Sequence, residues 1–154
     1  MNTKLAWNNF FWFFAAPIRT VYRFLFRPHG YGAKVLVKSG DSFLLVRTTY
    51  GHKSWTLPGG AVERGETPEI AARRELMEEI RLIVREFIPL GEYSYTENYK
   101  TNTVYCLLAP LDSMESVVVD GVEIAEAKWF RPDELPSNRV SRVDKILNLY
   151  QQLR

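Results

Sequence analysis

At 154 residues the chain suits one domain with a substantial core, and 46% hydrophobic and 25% charged residues are ordinary for a globular protein. A net charge of +2 is too small to argue for nucleic acid as a partner, and no apolar run reaches the roughly 20 residues of a membrane-spanning helix. Cys106 is the only cysteine, which excludes an internal disulfide and makes a reducing, cytoplasmic setting the simpler reading.

The first 29 residues read as a separate aromatic and basic segment ahead of a domain over residues 30–154. Pro17 and Pro28 bracket a predicted helix on which Arg19, Arg23 and Arg27 form a basic row. Ile18, Val21, Tyr22 and Leu25 give it an apolar side, and the aromatic cluster Phe10 to Phe14 precedes it. A cleaved signal peptide fits poorly, because the apolar run is short and arginines follow it. Two readings stay open for residues 4–28. One is an interfacial helix placing the protein peripherally on an anionic membrane. The other is aromatic packing on the domain core or across a homodimer interface.

Gly32 to Val37 and Ser42 to Thr48 read as strands around a Ser39-Gly40-Asp41 turn. Tyr50 to Ser54 is a polar loop leading to Trp55. Thr67 is a predicted helix cap, with Pro68 at the first helical position and Glu69 in the first turn, where the macrodipole favours a carboxylate. Ala72, Leu76 and Ile80 give this helix an apolar stripe. Glu75, Glu78 and Glu79, spaced i, i+3 and i+4, share the neighbouring arc. Like charges crowded on one face repel. Oxygen-rich clusters of this kind suit hard divalent cations, Mg²⁺ or Mn²⁺, which in turn bind substrate phosphates. The plainer alternative is a solvated acidic face.

Farther on, Phe87 to Tyr95 and Thr103 to Ala109 read as a hairpin around residues 97–102, and Cys106 as a buried strand thiol. Val117 to Val119 and Ala125 to Phe130 are further strand candidates. Val140 to Leu153 closes the chain as an amphipathic helix carrying Val140, Val143, Ile146, Leu147 and Tyr150 at helical spacing.

The stretch from Gly60 to Leu82 resembles the Nudix box, Gly-x5-Glu-x7-Arg-Glu-U-x-Glu-Glu-x-Gly-U with U a bulky aliphatic residue. Gly60, Glu66, Arg74, Glu75, Leu76, Glu78, Glu79 and Leu82 match in register, and Arg81 stands where the family has glycine. Trp55-Thr56-Leu57-Pro58-Gly59 looks like the family's lead-in, and residues 129–136 look like its downstream signature. The resemblance implies an α/β/α sandwich around a mixed central sheet. It implies an Mg²⁺- or Mn²⁺-dependent pyrophosphohydrolase acting on a nucleoside diphosphate derivative or a nucleoside triphosphate, by water attack without a covalent intermediate. Glu78 and Glu79 are then the first-choice metal ligands, and Glu75 is either a ligand or the base that activates water. Gly59 and Gly60 let the backbone turn beside metal and phosphate, although a plain turn after Pro58 is the simpler use of them. Glu66 and Arg74 are expected to pair and orient the catalytic glutamates. A further carboxylate is expected from a loop before the last strand, Glu123 first and Glu126 in reserve.

Tyr50, Trp55, Tyr95 and Tyr99 are candidates to stack on a base or sugar, each also a plausible packing residue. Arg81 is expected either to let the helix run through Leu82 or to tolerate a left-handed conformation. Besides the hydrolase, two readings remain: a catalytically silent nucleotide sensor, and a membrane-associated accessory protein. The substrate is not legible. Motifs of coenzyme A and NADH members are absent, as is the proline of ADP-ribose members. Tyr99, 17 residues after Leu82, is a weak match to diadenosine polyphosphate hydrolases.

Overall fold

Two apolar runs separated by a glycine turn set the centre of the sheet. Strands β1 (His29–Ser39) and β2 (Ser42–Thr48) are antiparallel neighbours, and Gly40 at φ 53° makes the turn that L-residues resist. The computed structural model describes residues 29–51 and 53–153. The predicted helix between Pro17 and Pro28 lies outside the described residues. Among those described, His29 and Gly30 group with Ser94–Thr103, and Tyr31–Tyr93 group with residues 104–153.

The larger unit carries most of the sheet and both helices. Strand β3 (Trp55–Thr56) pairs with β2, and β4 (Ile88–Glu97), β5 (Lys100–Leu111) and β6 (Ile124–Phe130) complete six strands. The order is β3-β2-β1-β5-β4, with β6 also paired to β2. Alternation along β1 and β2 sorts the core. Ala33, Val35, Val37, Leu44 and Val46 pack with Ala71, Ala72, Leu76 and Ile80 of helix α1 (Pro68–Ile80). Helix α2 (Ser141–Gln152) buries Val143, Ile146 and Leu147, and its Tyr150 meets Phe43 edge-on at 5.9 Å. A mixed sheet with two helices is the α/β sandwich expected from the sequence.

Helix α1 begins as predicted: Thr67 Oγ1 accepts the Ile70 N–H at 3.3 Å, and Pro68 opens the first turn. It stops at Ile80, because Arg81 adopts φ 56°, ψ 30°. The arginine takes the left-handed conformation that glycine would occupy, so the second of the two expectations for it holds. Residues 117–119 correct a strand expectation. They form no strand; instead Val118 N–H donates to Ile80 O at 3.1 Å and Asp120 N–H to Glu79 O at 3.0 Å. These donors satisfy carbonyls that a helix C-terminus leaves without intrahelical partners.

In the smaller unit the hairpin turn is shorter than residues 97–102. Asn98 and Tyr99 alone make it, at φ 48° and 60°. Two consecutive positive φ values are the signature of a type I′ turn, whose twist matches the flanking strands.

Candidate active site

Residues 57–60 enter the site from β3 and are gripped by β1. Val35 N–H donates to Pro58 O at 3.0 Å and Ala33 N–H to Gly60 O at 2.9 Å. The Lys34 ammonium donates to Leu57 O at 3.0 Å and also to Gly59 O. All four carbonyls of this loop therefore accept from three consecutive residues of one strand. Gly59 sits at φ 116°, and a Cβ there would lie 2.3 Å from Ala33 O, so only glycine fits. A Cβ on Gly60 would lie 2.4 Å from Glu75 Oε1; the missing side chain is the space that this carboxylate occupies.

The three glutamates of α1 differ sharply in environment. Glu79 is 8% exposed and its Oε2 accepts the Gly59 N–H at 2.9 Å. Burial pushes its carboxyl up to about 7, Lys34 and the Gly59 N–H pull it down, and Glu75 and Glu123 push it up again. Glu75 is partly buried and its Oε1 accepts from Arg74 Nη1 at 2.8 Å. Glu78 points outward, its side chain 61% exposed, with Arg74 Nη1 3.4 Å away. Burial holds the Lys34 ammonium below the ordinary lysine range, against the pull of Glu79 and Glu75.

Arg74 organises this region. Its guanidinium grips Glu66 in a fork at 2.8 and 2.9 Å and donates to Ala61 O at 3.0 Å. With that pairing and a bond from Glu63 N–H, the Glu66 carboxyl falls to about 2. The Glu66–Arg74 pair expected from the sequence is present, and it ties the loop after Gly60 to the helix.

Glu123 and Glu126 part company. Glu126 pairs with Arg47 at 2.5 Å and with Lys128, so both of its oxygens are engaged. Glu123 is exposed, and its charge is felt by both Glu79 and Tyr50. Its loop is anchored twice. Thr49 N–H donates to Glu123 O at 2.9 Å, and Asp120 accepts the N–H groups of Val122, Glu123 and Ile124 at 2.8–3.2 Å.

The aromatic candidates also separate. Tyr50 is 62% exposed; partial burial and the charges of Glu123, Glu79 and Glu75 raise its phenol pKa. Trp55 is 7% exposed, packed edge-on against Phe130 at 5.0 Å with Arg47 and Lys128 over its ring, and serves as a packing residue. Tyr99 belongs to the smaller unit, in the hairpin turn, and Tyr95 lies in that unit too.

Tyr50 and Glu79 thus each feel the charges of Glu75 and Glu123, and Glu79 and Glu75 border Gly59 and Gly60. Among the described residues, no three His, Cys, Asp or Glu side chains are gathered closely enough to hold a metal ion as they stand. The donor chemistry nonetheless fits a hard divalent cation: carboxylate oxygens, one of them in the cradle left by Gly60.

The sequence matches the NUDIX domain model over residues 28–150. The chain belongs to the NUDIX family. It is 34% identical over 105 residues to the NAD-capped RNA hydrolase NudC of Escherichia coli strain SMS-3-5, covering 66% of this chain. The corresponding protein of Citrobacter koseri matches to the same degree. The chain spans 39% of the length of these curated relatives. Among solved structures, a MutT NUDIX hydrolase from Burkholderia pseudomallei superposes with a TM-score of 0.71 at 24% identity, covering 79% of this chain and 97% of that one. An Ap4A hydrolase from C. elegans gives 0.68 at 22% identity, covering 80% and 96%. These likenesses share the fold. Among the described residues no helix is long and apolar enough to cross a membrane.

Sequence reasoning missed two residues. Lys34 had a readable signal, a charge set between Ala33 and Val35 in an otherwise apolar strand. Asp120 carried a weaker one, the Asp120-Gly121 dipeptide that marks a turn.

Proposed function

We propose that the chain is an Mg²⁺- or Mn²⁺-dependent pyrophosphohydrolase that cleaves a nucleoside diphosphate linked to a group X into nucleoside monophosphate and phospho-X. The observation that carries this reading is the buried Glu79, bonded to the Gly59 N–H and electrostatically coupled to Glu75 and Glu123. Glu78, Glu79 and Glu123 would hold the cation. When bound, it would lower the pKa of the attacking water and neutralise charge on the pyrophosphate. Glu75, placed against Gly60 and steered by Arg74, is either a further ligand or the base that takes the water's proton. Tyr50, exposed and within reach of the charges of Glu123, Glu79 and Glu75, would stack on a base or sugar.

The test is a substrate panel with Mg²⁺ or Mn²⁺, read by released phosphate with and without phosphatase. It includes nucleoside triphosphates, ADP-ribose, NAD, diadenosine tetraphosphate and NAD-capped RNA, the last two because the relatives' names point to them. Glu79→Gln and Glu78→Gln should each lower kcat on the best substrate by at least about a hundredfold while the fold survives. Near-normal turnover by folded Glu79→Gln sinks the assignment. Tight nucleotide binding with no turnover across the panel favours the silent sensor instead.

A further inference from the structure

The loop that carries Gly59 and Gly60 is held by a cation belonging to the protein itself. Backbone N–H groups of β1 reach only two of its carbonyls, those of Pro58 and Gly60. The other two, Leu57 O and Gly59 O, accept from the Lys34 ammonium. Gly59 in turn gives its N–H to Glu79 at 2.9 Å. Lys34 and Glu79 thus hold the two polar groups of a single buried glycine. The ammonium also feels the negative charges of Glu79 and Glu75 and the positive charge of Arg142. A lysine whose donors go to backbone carbonyls is structural glue anywhere on a protein. One that does so beside two carboxylates read as cation ligands is also a positive charge inside the cation's own field.

We infer that Lys34 is a built-in counter-ion of this site: it balances Glu79 and Glu75 and pins Gly59 in the metal-free protein, and it opposes the divalent cation that those carboxylates attract. The inference rests on the metal-dependent reading above and adds to it a residue that tunes cation affinity. The two roles of Lys34 have opposite consequences when its charge is removed. Loss of glue would loosen the loop and weaken cation binding. Loss of a competing charge would strengthen it.

The experiment uses the full chain, stripped with EDTA, dialysed and titrated with Mn²⁺, with free Mn²⁺ followed by electron paramagnetic resonance. Wild type is compared with Lys34→Gln, which keeps a donor without the charge, with Lys34→Met, which keeps neither, and with Lys34→Arg, which keeps the charge. Thermal melts in EDTA confirm folding and report the loop. The uncharged variants should bind Mn²⁺ at least about fivefold more tightly than wild type while melting at lower temperature in EDTA, and Lys34→Arg should stay within about twofold of wild-type affinity. Equal or weaker Mn²⁺ binding by folded Lys34→Gln and Lys34→Met overturns the inference and leaves the metal-site reading standing. Absence of Mn²⁺ binding by wild type and every variant overturns the metal-site reading, and this inference with it.

Discussion

Glu79 should make the metal-free protein less stable than it could be, and by an amount that depends on pH. The carboxyl is 8% exposed, and burial lifts its pKa from 4.5 to about 7. A group whose folded-state pKa is raised binds its proton more tightly when folded. It therefore costs nothing below the unfolded value, an increasing amount as pH rises from about 4.5 to 7, and a constant amount above that. A shift of between two and three units corresponds to about 3 kcal/mol at pH 8. Glutamine is nearly the same shape, does not ionise, and its Oε1 can still accept the Gly59 N–H. It also withdraws support from the Lys34 ammonium, which lowers the expected gain to about 1–3 kcal/mol. Urea denaturation of wild type and Glu79→Gln in EDTA at pH 5 and pH 8 reads this directly. The variant should be the more stable at pH 8, and the gap should shrink at pH 5. A variant that is equally or less stable at pH 8, or a gap independent of pH, refutes the burial argument. Because the same substitution is expected to abolish turnover, a stabilised but inactive protein would mark Glu79 as a residue kept for function at the expense of stability.

The two glycines of the loop should separate fold from chemistry. Gly59→Ala forces a Cβ onto the Ala33 backbone carbonyl at positive φ, and should cost about 3 kcal/mol or more in urea denaturation. The nearest atoms to a Cβ at Gly60 all belong to the Glu75 side chain, so in Gly60→Ala the fold should survive while kcat falls at least about tenfold. Arg81→Gly relieves a left-handed conformation and should stabilise by up to about 1 kcal/mol with activity within a few-fold; a hundredfold change would reveal a role for this arginine in the reaction. Asp120→Ala removes the acceptor of three backbone N–H groups, should destabilise by about 1–3 kcal/mol, and should lower kcat as much as Glu123→Gln does if the loop exists to present Glu123.

Much of the fold was legible because its signals are local. Ala72, Leu76 and Ile80 recur at helical spacing, and Thr67-Pro68 marks the helix start, so α1 could be drawn from the chain alone. The departures have tertiary causes. Residues 117–119 carry β-branched valines in a run that reads as strand, yet their N–H groups go to the end of α1, a partner more than thirty positions earlier that periodicity cannot reveal. The hairpin turn was misjudged because Tyr99 is a poor residue for a left-handed conformation. The strands enforce it across a two-residue connection whose asparagine alone fits the pattern.

The site divides in the same way. Glu75, Glu78 and Glu79 announce themselves by spacing, but spacing treats them as equals, whereas packing buries one, steers one with Arg74 and leaves one in solvent. Glu123 and Glu126 looked interchangeable in sequence. What distinguishes them is that Arg47 and Lys128 flank Glu126, whereas Asp120 holds the Glu123 loop on the carbonyls of α1. Lys34 lies 25 residues from Gly59, and only folding sets its ammonium against that glycine's carbonyl. The surroundings of Glu79, Glu75 and Lys34 meet at one short stretch. Residues 57–60 receive every carbonyl bond from β1, pass the Gly59 N–H to Glu79 and leave the Gly60 gap to Glu75. A movement of that loop therefore changes the environments of Glu79 and Glu75 together. Mutations in β1 that never touch substrate should then act on catalysis through this loop, with Lys34 the first to examine.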